Sequence, residues 1–234
     1  MSTLQWGAKM TKNESAYEDG ETGDMSGLRT GYWAAIATFI SGLVFLAVLV
    51  ATVISGTGFP PSGIFLTLIS VDTLLAAVAM VFLWSAVHVF APADRKIFSQ
   101  CSLAMITVLA ALTGIVRFVQ LSLVPQALAA GKTDGLDFFR VYGEFSLMAD
   151  IEVLAWGGFL GLALLCLAPV FRRRKLERGL FWTLIVSGLL CLIGAMGKVV
   201  SLTPLVFIGI LGWGPGLTVA TGLMVIWFRR KTAN

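Results

Sequence analysis

Long apolar blocks are the feature that most limits how this chain can fold. A hydrocarbon core about 30 Å thick needs about 20 apolar residues in a helix. Six stretches qualify: about 31–55, 63–90, 97–124, 145–170, 179–201 and 205–228. Strands are not expected, because the stretches are too long and lack strict alternation. The sequence therefore predicts an all-α polytopic membrane protein with a bundle of six transmembrane helices.

Composition supports lipid as the main solvent of the chain. The protein is 57% hydrophobic and only 13% charged, whereas soluble domains are roughly half apolar and a quarter charged. The three cysteines, Cys101, Cys166 and Cys191, are far apart and lie in apolar runs. They are interpreted as packing residues, since neither a disulfide framework nor a metal-ligand spacing is present.

The distribution of Lys and Arg predicts the orientation. If the N-terminus is inside, thirteen basic residues fall on the inner side and only Lys132 and Arg140 on the outer side. The positive-inside rule then places both termini in the cytoplasm (N-in/C-in) of a multi-pass inner-membrane protein. The basic segment 171–178 is interpreted as a topology signal at anionic lipid headgroups, not as a nucleic-acid patch. Residues 1–30 are polar, acidic and Gly-rich, and we expect a mobile cytoplasmic tail followed by an uncleaved first helix.

Charged residues inside the apolar blocks are the candidates for function. Counting 1.5 Å per residue from the predicted helix ends puts five of them in the outer half of the bilayer: Asp72, Arg117, Asp150, Glu152 and Lys198. A lone charge in lipid costs at least about 2.5–3.5 kcal/mol, so these groups should turn inward and pair. We expect Arg117 to pair with Glu152 and Lys198 to pair with Asp72.

Helical periodicity adds polar stripes to these charges. The stripes are Thr113, Arg117 and Gln120 on the third helix, Glu144, Met148, Glu152 and Trp156 on the fourth, and Ser187, Cys191, Gly194, Lys198 and Ser201 on the fifth. Asp150 lies about 200° around the helix from Glu152, so only one of them should face the cluster, and we expect Glu152. The candidate binding cluster is Asp72, Arg117, Gln120, Asp150, Glu152 and Lys198.

Three further features carry weaker expectations. The second half of the loop 125–144 is predicted to form a short interfacial helix over the cluster, or alternatively a lid. The single histidine, His88, is expected to make a hydrogen bond at a helix end, and no motif predicts a metal or cofactor. The GWGPG run at 212–216 should kink the sixth helix at Pro215. A small face there should allow close helix packing: Gly209, Gly212, Gly216 and Ala220.

The order of these features resembles a family of six-helix bacterial inner-membrane proteins that is classed as a domain of unknown function. The residues that carry the likeness are WSAVHVFAPADRKIFS, RFVQLSLVPQALAAG and EVLAWGGFLGLALLCLAPVF. The likeness spans roughly residues 31–228 and does not extend to Asp150 or Lys198. It implies bacterial origin and the six-helix topology, and it implies no activity.

Two interpretations of the cluster stay open, namely structural ion pairs and a polar pocket open to the outside. We expect a non-enzymatic protein that binds or passes a small polar solute or a proton.

One alternative is an intramembrane enzyme with Glu152 or Asp72 as general acid on a lipidic substrate such as a prenyl chain. Another is an accessory subunit that docks a partner through small-residue faces. A water path from the outer face would indicate transport. A lateral opening beside an acid would indicate an enzyme, and an exposed Gly/Ala stripe would indicate an accessory subunit.

Overall fold

The computed structural model describes residues 3–56, 61–142, 145–172 and 175–232, with side chains from Met25 onward. This part of the chain holds no strand. Its α-helices are α1 (Thr3–Ile54), α2 (Gly63–Val89), α3 (Lys96–Ala129), α4 (Leu147–Val153), α5 (Leu160–Leu167), α6 (Lys175–Val199), α7 (Thr203–Leu211) and α8 (Leu217–Thr232). Short π-helical segments join α4 to α5 (Leu154–Phe159) and α7 to α8 (Gly212–Gly216).

Six helical segments in the described residues are long and apolar enough to span a membrane, as predicted. They are Met25–Ile54, Gly63–Val89, Ala93–Ala129, Leu147–Val170, Lys175–Val199 and Thr203–Thr232. We number them as the first to the sixth span. Helix α1 begins inside the segment predicted as a tail, and the mobility of that tail stays a prediction. The third helix continues through Pro125 to Ala129, so the loop after it begins later than the predicted residue 125. It can do so because the turn after the proline closes with a bond from the Ala130 N–H to the Gln126 carbonyl (3.0 Å).

The six spans form a closed ring in chain order. Each span packs against the next one along the chain, and α8 returns to pack against α1. The middle of the ring is filled by large side chains that are fully buried, among them Met80, Trp84, Leu109 and Leu160. The second span therefore touches only the first and third extensively, and it lies across the ring from the fifth.

Glycines bring the fifth and sixth spans into backbone contact. A Cβ added to Gly194 would lie 2.5 Å from the Gly209 Cα, and one added to Gly212 would lie 2.7 Å from the Ser187 carbonyl oxygen. Such overlap means that only glycine fits at these positions. The predicted small face of the sixth helix is thus confirmed, and it is used inside the bundle. Cys191 packs at the same contact, and all three cysteines are free.

The end of the bundle near the chain termini, here the termini half, is joined by neutral hydrogen bonds. The Trp84 indole N–H donates to the Ser102 hydroxyl (2.7 Å), which donates to the Ala163 carbonyl (2.6 Å). This chain ties α2, α3 and α5 together. Nearby, His88 bonds the Ser99 hydroxyl (2.9 Å), which confirms its predicted role at a helix end.

Candidate functional site

The opposite end of the bundle, here the cavity half, encloses a partly open cavity of about 430 Å³. All six spans and the loop after α3 contribute to its wall. Four of the six predicted cluster residues line it: Asp72, Arg117, Glu152 and Lys198. Most of the remaining wall is apolar, with five aromatic side chains: Phe45, Tyr142, Trp156, Phe207 and Trp213. The predicted clustering of charges at one level of the bundle is therefore confirmed for these four residues.

The Arg117–Glu152 ion pair joins the third and fourth spans across the cavity wall, as predicted. The Arg117 Nη2 donates to the Glu152 Oε1, and its Nη1 donates to the Ser70 hydroxyl on α2 (3.4 Å). The side chains are only 3% and 14% exposed. A buried guanidinium needs such partners, because an uncompensated charge in a low-dielectric interior is very costly.

Three buried polar atoms of this pair and of Trp156 have no hydrogen-bond partner in the part of the chain that the structure describes. They are the Arg117 Nε and Trp156 Nε1, which are donors, and the Glu152 Oε2, which is an acceptor. The Trp156 indole lies next to the Glu152 carboxylate without forming a hydrogen bond of normal geometry. Most buried polar groups in folded proteins are satisfied, so three such atoms in side chains that line one cavity mark an incomplete polar environment.

The second ion pair differs from the expected one. The Lys198 ammonium lies 2.9 Å from the Asp150 carboxylate, and both side chains are about half exposed (42% and 58%). The predicted pairing of Lys198 with Asp72 is wrong, because α6 adjoins α4 in the ring and lies across it from α2. Asp150 does not line the cavity, which agrees with the expectation that Glu152 is the inward-facing acid of the two.

Asp72 is the acid left without a cation. Among the described residues no Lys, Arg or His lies within ion-pair distance of its carboxylate. The Ser41 side chain of α1 is its near neighbour, and Arg117 acts on it from farther away. The described spans of the cavity half thus hold two ion pairs and one carboxylate, that of Asp72, which lines the cavity without a cation at ion-pair distance.

Gln120 serves the loop rather than the cavity. Its Oε1 accepts the backbone N–H of Val141 (3.0 Å), and it is not among the residues that line the cavity. Gln120 does lie on the buried stripe of α3 with Thr113 and Arg117. However, it is almost one helical turn farther along and meets the returning loop.

The loop covers part of the cavity with its last residues. A short 3₁₀ helix (Leu136–Phe139) exposes Phe138 and Phe139, so the predicted short helix is present, and its position at a membrane interface stays a prediction. Tyr142 lines the cavity. Burial raises the pKa of Tyr142 above its ordinary value of 10.0, against the opposing effect of Arg117. The phenol is therefore neutral at physiological pH. Glu144, predicted on the stripe of the fourth helix, lies outside the described residues.

Helices α1 and α7 are not in extensive contact along part of the cavity wall, here the α1–α7 gap. Helix α1 packs against the sixth span along a line of glycines, from Gly31 beside Phe228 to Gly42 beside Thr218 and Gly214 beside Phe45. Beyond that point α1 and α7 both line the cavity but do not pack extensively against each other. Leu49 of α1 and Phe207 of α7 flank this gap in the described part of the chain.

Sequence reasoning missed the contribution of the first span. Thr38, Ser41, Phe45 and Leu49 line the cavity from α1. These residues carry no charge, and the candidate site was predicted from the charged residues in the apolar blocks, so it did not include them. Their spacing of three, four and four residues is the signal that would have identified one helical face.

Comparisons with known protein families, with curated proteins and with solved structures find nothing that matches this chain. The family resemblance therefore stays a prediction, and function has to be argued from the geometry. No group of His, Cys, Asp and Glu suited to a metal ion occurs in the part of the chain that the structure describes.

Proposed function

We propose that this protein is an integral membrane protein that binds a small solute in the cavity. The observation that carries this proposal is the coincidence of a cavity of about 430 Å³ with four Asp, Glu, Arg or Lys side chains and three unsatisfied polar atoms. Ligand sites in proteins are concave and mostly apolar, and they have a few convergent polar groups. Ion pairs that served stability alone would need no such space, because interiors pack close to crystal density.

Binding is favoured over passage through the bundle. The termini half beneath the cavity is filled by the buried side chains of Met80, Trp84, Leu109 and Leu160. A solute in the cavity would meet this packed layer and could not continue without a rearrangement of the ring. An accessory role has less support, since the glycine face of the sixth span is occupied by the fifth.

An intramembrane enzyme is the second candidate, because the α1–α7 gap adjoins the cavity that Asp72 lines. Glu152 is engaged by Arg117, which leaves Asp72 as the candidate general acid for a lipidic substrate such as a prenyl chain. Turnover of a prenyl substrate that is lost in Asp72→Asn would support this candidate. Binding without any turnover would support the solute-binding function.

Filling the cavity tests the proposed function. Ala76 lines the cavity and is 6% exposed, so Ala76→Leu should fill part of it. Ala111→Leu places the same side chain on an exposed face of α3 and is the matched control. We expect a panel of small amines, alcohols and carboxylates to contain solutes that raise the unfolding temperature of the wild type and the control but not of Ala76→Leu. If no solute separates the two variants, the cavity is not a binding site.

We also propose that the protein lies in a bacterial inner membrane with both termini in the cytoplasm, so that the cavity faces outward. The Lys and Arg asymmetry supports this orientation. Reporter fusions at Ala130 and Lys175 should report the periplasm and the cytoplasm, respectively. The reverse pattern would place the cavity on the cytoplasmic side.

A further inference from the structure

The charge balance of the described span residues in the cavity half is uneven. Of the five charged side chains that these spans carry there, Arg117 is paired with Glu152 and Lys198 with Asp150. The carboxylate of Asp72 is the one that remains. It lines the cavity, is partly buried and has the neutral Ser41 as its near neighbour, whereas Arg117, which already holds Glu152, acts on it from farther away. Intramembrane carboxylates that lack a partner within the protein can serve as counter-ions to cationic ligands.

The wall around Asp72 suits an apolar body. Phe45 lies one helical turn from Ser41 on the same face of α1, and Phe207, Trp213, Trp156 and Tyr142 complete the aromatic wall. Aromatic faces attract cations as well as apolar groups. The same wall would give a small hydrophilic ion little compensation for the water that it must lose.

The route into the cavity also suits an amphiphile. The gap between α1 and α7 lies beside Leu49 and Phe207, and the neighbouring residues Val50, Val53 and Ile54 are strongly exposed on the apolar surface of α1. Because the helices are in little contact here, this side of the cavity is the candidate entry for a molecule dissolved in the bilayer. Its charged end could then reach Asp72, while its apolar part stays among the aromatic rings.

We propose that the solute is a lipophilic amine, with its ammonium group bound by Asp72 and its apolar body bound by the aromatic wall. This inference rests on the proposed solute-binding function. An anionic ligand is disfavoured, because both cations of the region already hold carboxylates, and the anion would face Asp72. A neutral ligand would leave the charge of Asp72 uncompensated.

A matched ligand series tests the class of solute. The probes are 4-phenylbutylamine, 4-phenylbutanol and 4-phenylbutanoate, with ethylamine as a hydrophilic amine. Affinities are measured by calorimetry on the full chain in nanodiscs of phosphatidylcholine, which has no net charge to concentrate amines. We expect phenylbutylamine to bind about tenfold or more tightly than the alcohol and the carboxylate, as is usual for a charge-assisted contact. Ethylamine should bind much more weakly, because it lacks the apolar body.

Asp72→Asn should abolish the preference for phenylbutylamine over phenylbutanol. The matched control is Asp94→Asn, an exposed acid in the termini half whose side chain is 62% exposed, and it should keep the preference. Thermal unfolding without ligand checks that both variants fold. If Asp72→Asn fails to fold, Ser41→Leu, which covers the carboxylate from α1, should give the same loss of preference.

The outcomes separate this inference from the function on which it rests. Equal binding of amine and alcohol, or tighter binding of the carboxylate, would overturn the assignment of an amine, and equal binding of ethylamine would overturn the need for an apolar body. Each of these outcomes leaves solute binding in place. If no probe binds and no solute in the panel distinguishes Ala76→Leu from Ala111→Leu, the solute-binding function itself fails.

Discussion

The two halves of the bundle treat buried polar groups in opposite ways. In the termini half, Trp84, Ser102 and the Ala163 carbonyl form a neutral chain in which each buried side-chain group has a partner. In the cavity half, the polar groups are charged, and the Arg117–Glu152 pair keeps one unused donor and one unused acceptor. The first arrangement closes the space between helices, whereas the second leaves a cavity.

This difference indicates what each half is for. A neutral, complete hydrogen-bond chain fixes the distance and register of three spans, and it requires nothing from outside the protein. Charged groups in the membrane are costly and usually mark function. In the Arg117–Glu152 pair the two charges neutralise each other, but one donor and one acceptor still lack hydrogen bonds. These two atoms could bind a further polar group. The termini half is therefore the scaffold, and the cavity half is the candidate site.

The largest effect is expected from breaking the buried ion pair. Arg117→Leu and Glu152→Leu should each lower the free energy of unfolding by about 3–5 kcal/mol, because each leaves an uncompensated charge. The double variant should recover a large part of that loss. Chemical unfolding of the purified protein in detergent measures all three. The exposed Arg140–Asp137 pair (3.4 Å) is the control, and strictly additive losses for Arg117 and Glu152 would contradict the coupling.

A smaller effect is expected in the scaffold. Ser102→Ala removes the acceptor of the Trp84 N–H and should cost about 1–3 kcal/mol, the usual cost of a buried unsatisfied group. Ser122→Ala is the matched control on the same helix, because Ser122 is only partly buried and its hydroxyl bonds the Phe118 carbonyl of its own helix. The same unfolding assay compares them. Equal effects of the two substitutions would mean that the neutral chain does not hold the termini half together.

The turn after α6 offers a stabilising change in the cavity half. Ser201 has a φ of 55°, a left-handed conformation that costs a residue with a Cβ roughly 1–2 kcal/mol. Ser201→Gly should raise the free energy of unfolding, because glycine adopts this conformation without strain. The gain should not exceed about 1 kcal/mol, because the greater entropy of glycine in the unfolded chain offsets part of it. Ser201→Val should lower it. Thermal unfolding would refute this reading if the two substitutions moved stability in the same direction.

The smallest effect is expected for the outer ion pair. Lys198 and Asp150 are about half exposed, and such pairs contribute about 0–1 kcal/mol. A double-mutant cycle with Lys198→Ala and Asp150→Ala should therefore give a coupling energy well below that of Arg117 and Glu152. Added salt should reduce it further. A coupling as large as that of the inner pair would remove the distinction between the two.

The amino-acid sequence predicts the helices and their faces better than the order of the helices. Length and hydropathy predicted six spans, and periodicity predicted that Glu152 rather than Asp150 faces inward. Helical depth also brought Arg117 to Glu152. The error at Lys198 arose because depth and face do not say which helices are neighbours, and the ring places Asp150 beside Lys198 with Asp72 opposite.

Two other features depended on tertiary contacts that local patterns do not contain. The third helix was expected to end before Pro125, but it continues to Ala129, since one missing backbone donor does not prevent the next turn from closing. Gln120 was assigned to the cluster from its stripe. It instead bonds the Val141 N–H, which depends on where the loop returns.

The contact between Gly194 and Gly209 has a mechanical consequence. With their backbones touching, α6 and α7 have no side-chain layer between them that could slide or repack, so they should move as one rigid unit. The last turns of α1 beyond Phe45 have no such restraint and carry exposed side chains as far as Ile54. Helix α1 is held on its other side by α2, with Thr52 fully buried. A change in the distance between α1 and α7 should therefore move α6 together with α7.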